Sequence, residues 1–180
     1  LAARAARFAV ERGTHASSDT RRRFGYDARM AHDDEVDRPL DASTIADRLA
    51  IHDVIVRYCR AIDTLDWPLL DRVFTPDATV DYTSSDGIAG AYPEVRAWLA
   101  QVLPGFAMRQ HLVANEQVEI DCDRATARCY LYNPMARPDG EGGSKLFFIG
   151  GAYVDELVRT KQGWRIRRRV EEQSWVDLRP

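Results

Sequence analysis

After Pro104 the chain becomes almost entirely strand-like, and this restricts its fold more than any other feature. Four runs, at 109–121 (RQHLVANEQVEID), 124–136 (RATARCYLYNPMA), 145–160 (KLFFIGGAYVDELVRT) and 163–177 (GWRIRRRVEEQSWVD), alternate in polarity and carry β-branched or aromatic residues. Only CD, RPDGEGG and KQG separate them, lengths that suit hairpins and leave no room for a crossover helix. The runs must therefore form an antiparallel meander. Gly150 and Gly151, inside the third run, predict a bulge or bend of the kind a curved sheet needs.

The preceding segment is helical. Ser43 or Thr44 is placed to cap a helix over about 44–65, with Ile45, Leu49, Ile55, Val56, Cys59 and Ile62 at helical spacing. Asp66 followed by Pro68 predicts a second, short helix ending before Pro76. Residues 78–84 read as a strand. Residues 92–103 read as a third helix, opened near Pro93 and closed by Pro104. Three N-terminal helices followed by a meander predict an α+β fold, with the helices packed on one face of a strongly curved, mainly antiparallel sheet. The expected domain is 43–177. Residues 1–42, poor in large apolar side chains, read as an extension with at most a short helix at 2–12. Met30 is a candidate natural start, which would leave 1–29 outside the native protein.

A net charge of −3 gives no global drive toward nucleic acid or an anionic membrane surface. No apolar run approaches the roughly 18 residues that would read as a membrane span. Cys59, Cys122 and Cys129 are odd in number and lack CxxC spacing, so reduced thiols and a cytoplasmic location are expected. HExxH and GxSxG motifs are absent from the sequence.

Asp63 stands out against this background. At about 100° per residue it points nearly where Ile45 and Val56 point, on what reads as the buried stripe of the first helix. It is either a helix-end residue turned out to solvent or an inward carboxylate, and an inward carboxylate needs a partner. His15 and His32 lie in the extension and His52 lies on the same helix, which leaves His111. Strand alternation places His111, Val113 and Asn115 on one face and Leu112, Ala114 and Glu116 on the other. A carboxylate on one ring nitrogen fixes the tautomer and leaves the other nitrogen as a base.

The stretches IADRLAIHDVIVRYCRAIDTLDWPLLDRVFTPDATVDY, QHLVANEQVEID and FIGGAYVDELVRTKQGWRIRRR resemble the SnoaL-like branch of the NTF2-like superfamily, from Ile45 to about Trp175. The pairing of Asp63 with His111 is similar to that of scytalone dehydratase, the bile-acid 7α-dehydratases and lindane dehydrochlorinase. The resemblance implies a cone of helices and curved sheet around a pocket. It also implies an elimination without metal or organic cofactor, with His111 as proton acceptor and Asp63 orienting it. Tyr58 matches a tyrosine of the bile-acid enzymes, and Tyr82 a carbonyl-polarising tyrosine of scytalone dehydratase. Asn133, flanked by Tyr132 and Pro134, stands where those two families carry an aspartate or a histidine, and it cannot move a proton. Asn133 and Tyr132 are taken as substrate contacts.

Arg169 falls five residues after Trp164, where the dehydrochlorinase has an arginine that helps the leaving group. Any of Arg167, Arg168 and Arg169 could take that place, or all three could form a solvated basic edge. The function implied is a cofactor-independent lyase of the dehydratase type, acting on a hydrophobic cyclic molecule such as a polyketide, steroid or terpenoid. An isomerase or cyclase with the same base, or a non-catalytic binding protein on the same scaffold, are the alternatives. The resemblance also implies a homo-oligomer, trimeric or dimeric, with no nucleic-acid or membrane partner.

Overall fold

The computed structural model describes residues 41–178. The extension, its short helix and the alternative start at Met30 lie outside the described residues, apart from the last two positions. There Asp41, not Ser43 or Thr44, caps the first helix, its carboxylate accepting from Thr44 N at 2.8 Å and Ser43 Oγ at 2.7 Å.

The elements follow in the order α1 (Ala42–Thr64), α2 (Trp67–Leu70), β1 (Phe74–Asp81), β2 (Ala89–Ala91), α3 (Tyr92–Val102), β3 (Met108–Arg109), β4 (Leu112–Asp121), β5 (Arg124–Pro138), β6 (Ser144–Thr160) and β7 (Gly163–Leu178). One curved, mixed sheet runs β2-β1-β7-β6-β5-β3, with β4 also paired to β5. Every pairing is antiparallel except β1 with β7. The helices pack against this sheet, giving the expected α+β cone. Asp66 caps α2 as anticipated, through Leu69 N at 2.9 Å.

Two expectations need correction, and one strand was not expected. β1 begins at Phe74, not 78, and runs through Pro76; a register shift between Phe74 and Thr79 accommodates a residue that cannot donate to the ladder. The short strand β2 has no signal in its sequence AGA. Ile45, Leu49 and Val56 are exposed, and the true buried stripe of α1 is Ile51, Val54, Ile55, Tyr58, Cys59, Ala61 and Ile62. Measured at 100° per residue, Ile45 and Val56 lie about 120–140° round from Ile51. Two apolar bands occur on one helix, and only one of them faces the core. Asp63 therefore stands on the flank of the stripe rather than at its centre.

Bulges set which strand residues face inward. The register slips between Gly150 and Gly151 as expected, and a Cβ on Gly151 would run into the carbonyl oxygen of Glu172. Two further slips carry no glycine. One lies between Ala114 and Gln117, with Asn115 at φ 53°. The other inserts Arg167 opposite the Glu156–Leu157 step. Each extra residue reverses the in–out alternation beyond it. Past the first, Asn115 is exposed and Glu116 is the half-buried residue, the reverse of simple alternation. Past the second, Arg169 follows Trp164 and Ile166 into the buried set.

Candidate functional site

The flank of α1 carrying Asp63 faces the start of β4. Eleven residues along a helix return to within about 20° of the same direction, so His52 and Asp63 share this flank. His52 Nδ1 meets Glu116 Oε2 at 2.9 Å, and Asp63 meets His111, so two contacts tie helix to strand. The carboxylate of Asp63 spans ring and backbone: Oδ1 lies 2.6 Å from His111 Nδ1 and Oδ2 accepts from His111 N at 2.9 Å. The His111 side chain is 5% exposed and that of Asp63 23%. An ionised carboxylate only accepts, so Nδ1 carries a hydrogen; in the neutral ring Nε2 then holds the lone pair. Asn133, on the inner face of β5, approaches Nε2 through Nδ2 at 3.3 Å. Its Oδ1 is buried and has no hydrogen-bond partner among the described residues.

Tyr58 and Tyr82 meet as well. Both are buried, and their hydroxyls share a hydrogen bond of 2.8 Å. The Tyr58 ring stands edge-on to the His111 ring, centroids 6.1 Å apart. Burial pushes the Tyr58 hydroxyl up to about 12, against the pull of the Arg169 cation and the hydrogen bond from Tyr82. Tyr82 and Tyr153 are also raised, first by burial and then by the neighbouring Tyr58.

Arg169 occupies neither of the places expected for it. Its neighbours Arg167 and Arg168 are exposed, but Arg169 itself is fully buried. Nε and Nη2 donate to the two oxygens of Asp155 at 2.7 and 2.6 Å, a cross-strand fork between β6 and β7. The guanidinium carbon lies 4.0 Å from the Tyr58 ring centroid and 4.2 Å from that of Tyr153. Arg169 thus stands against the tyrosine rings as a buried cation, with Nη1 left without a hydrogen-bond partner among the described residues. Tyr132 is also misplaced by the sequence reading. Leu131 and Asn133 point inward, so the residue between them points out, where Tyr132 stacks on Phe148 at 5.9 Å beside Trp175.

Sequence reasoning missed Glu171. This residue opposes Tyr153 across β6–β7 on the inner face, and its Oε1 accepts from Ser85 Oγ at 2.5 Å. Burial raises its carboxyl above the ordinary glutamate range, opposed by the Ser85 hydrogen bond and by the charges of His111 and Arg169. The bulge at Arg167 hides it, since unbroken alternation from Trp164 would send position 171 outward. Among the described residues no three His, Cys, Asp or Glu side chains are grouped as a metal site.

Comparison with known proteins supplies the lineage. Residues 43–170 match the SnoaL-like domain family. The Mycobacterium tuberculosis protein Rv2910c is 44% identical over 139 residues, covering 77% of this chain and 93% of its own. Among solved structures, the Kfla4162 protein of Kribbella flavida superposes with a TM-score of 0.68 at 28% identity, over 76% of this chain and 95% of that one. A type 2 hexachlorocyclohexane dehydrochlorinase, LinA, gives 0.67 at 19% identity over 76% and 90%. An NTF2-like superfamily protein of Salmonella enterica gives 0.62 at 17% over 72% and 92%. The chain belongs to the SnoaL-like family and has the NTF2-like cone fold.

Proposed function

We propose that this protein is a cofactor-independent lyase that eliminates water, or a comparable leaving group, from a hydrophobic cyclic small molecule. The observation that carries this reading is the imidazole of His111, bound through Nδ1 to Asp63 with Nε2 turned toward the inner face. Asp63 sets the tautomer and stabilises the imidazolium formed when Nε2 takes a proton from carbon. A protein with the same architecture, LinA, is named a hexachlorocyclohexane dehydrochlorinase, and dehydrochlorination is an elimination.

In this mechanism Tyr58, braced by Tyr82, donates to a substrate carbonyl as negative charge develops on its oxygen. The unpaired Oδ1 of Asn133 is a ready acceptor for a substrate hydroxyl, and such a contact relieves a buried polar atom that otherwise lacks a partner. Beyond Asn133 the inner face of the sheet continues with Met135, Ile149, Phe147 and Val176, surface that suits an apolar ring.

His111→Ala tests the reading. Turnover of an accepted β-hydroxy ketone should fall at least about 100-fold, the usual worth of a general base. The His111 ring resonances should also move when a phenol is added as an enol mimic. Retained activity with unmoved resonances would leave a cone with a self-satisfied Asp–His pair and no base.

A further inference from the structure

A base alone does not complete a dehydration. Hydroxide leaves poorly, so a second group must hand the departing oxygen a proton, and Asn133 stands next to His111 without one to transfer. Tyr58, Tyr82 and Tyr153 are all made weaker acids by burial. Arg169, forked onto Asp155, is a guanidinium and does not give up a proton. Among the described residues Glu171 remains, an inner-face carboxyl with a hydroxyl rather than a cation for its side-chain partner.

We propose that Glu171 is the general acid of the site, giving its proton to the leaving hydroxyl while His111 takes one from carbon. The inference rests on the elimination reading above.

Its anchoring, its partners and its surroundings bear on this. Glu171 is held in place from two sides: Ser85 Oγ donates to Oε1 at 2.5 Å, and Ser84 Oγ donates to the Glu171 carbonyl at 2.6 Å while accepting from Gln173 N at 3.0 Å. These serines sit in the 3-10 turn directly after Tyr82, so the turn that carries the tyrosine also fixes the acid. No cation pairs with Glu171 among the described residues, and its side-chain partner is a neutral hydroxyl, which suits a protonated carboxyl as well as an ionised one. Its groups of electrostatic influence are those of the site itself: His111 just before β4, Tyr58 on α1, Tyr82 after β1, Tyr153 on β6 and Arg169 on β7. Burial favours the neutral form. The adjacent Glu172 provides a contrast, since it faces outward and pairs with Arg128 at 2.8 Å on the exposed side of the sheet.

The step balances. His111 Nε2 takes the proton on carbon, and the electrons of that C–H bond become the new double bond. The C–O bond breaks with its pair going to oxygen, the Glu171 O–H proton joins that oxygen, and water departs. Imidazolium and carboxylate remain, and one proton passing between them through solvent restores the starting state.

Glu171→Gln keeps an acceptor for Ser85 and removes the transferable proton; Glu172→Gln is the control. The first arm is infrared titration of the full chain. Wild type minus Glu171→Gln should show the carbonyl stretch of a protonated carboxyl that persists above the ordinary glutamate value of about 4.3. The second arm uses the β-hydroxy and β-acetoxy forms of cyclohexanone as probes. Glu171→Gln should lose about 100-fold on the alcohol and little on the acetate, because acetate leaves without needing a proton. An ionised carboxylate at neutral pH, or equal losses on both probes, overturns the proposal. Loss of turnover in His111→Ala with full dehydration in Glu171→Gln removes the acid and keeps the base; the reverse pattern removes the elimination reading. If neither probe turns over, the infrared arm decides alone.

Discussion

Asp155 and Asp63 each meet a nitrogen base inside this protein, and they do so in different ways. Asp155 and Arg169 are 1% and 0% exposed, and the guanidinium is covered by the rings of Tyr58 and Tyr153, which meet each other edge to face. Asp63 is partly exposed, and the second nitrogen of its histidine has a long contact from Asn133 as its hydrogen bond among the described residues. An arginine is always charged and cannot give up its proton, so its carboxylate partner makes a permanent ion pair. A histidine changes charge, so its partner makes a device. The difference between structural and chemical pairs lies in the residue type and in the free valence left over, rather than in depth of burial alone.

The largest effect should come from opening the closed pair. Arg169→Met strands the Asp155 carboxylate beneath the tyrosines, and removing one partner of a buried pair costs about 3–5 kcal/mol. Chemical denaturation should show this as a large fall in midpoint. The double variant Arg169→Met with Asp155→Leu should recover most of the loss, because an apolar replacement of the whole pair is often neutral. A double variant as unstable as the single one would mean that the ion pair contributes more than the absence of a stranded charge.

Asp63→Asn addresses the other pair and should separate the two readouts. The amide still offers one oxygen, but it cannot accept from both the backbone and the ring of His111 as the carboxylate does. Stability should fall by about 1.5–3 kcal/mol, the range for hydrogen bonds to a charged group. Turnover should fall far more in proportion, by about 100-fold or beyond, as the imidazole loses its fixed tautomer. If stability collapses as it does in Arg169→Met, the two pairs are alike and the contrast drawn between them fails.

Much of this arrangement is legible in the sequence, and the failures share a cause. Short turns between long alternating runs dictate the meander. Asp63 and His111 are legible because each is an unusual residue at its position and each needs the other. Tyr132 was open to exclusion by simple parity, since Asn133 and Tyr132 cannot share a face of one strand. Arg169 and Glu171 are another matter. A single inserted residue at Arg167 decides their direction, and nothing in RRRVEE distinguishes the inserted arginine from its neighbours. The bulge at Asn115 did carry a signal: asparagine inside a strand tolerates the left-handed backbone found there. On α1, two apolar bands of similar strength hid the true stripe, because amphipathicity alone does not say which band has a sheet to cover it.

The tyrosine pair lies between the two carboxylate pairs and gives the finest test of their separation. Tyr58 rests on the Arg169 guanidinium with its ring and reaches Tyr82 with its hydroxyl. Tyr82→Phe removes only the brace, at a cost of about 1 kcal/mol, and leaves the Tyr58 hydroxyl and the cation beneath it in place. Turnover should fall by less than about tenfold, since one net hydrogen bond of that size corresponds to less than a decade. Tyr58→Phe should cost more, because it removes the donor itself and leaves Tyr82 unpaired in a buried site. Steady-state kinetics of the two variants, each compared with its denaturation midpoint, reads the order directly. Equal losses in turnover would mean that the two hydroxyls act as one unit, and a larger loss in Tyr82→Phe would move the carbonyl donor from the helix to the turn after β1.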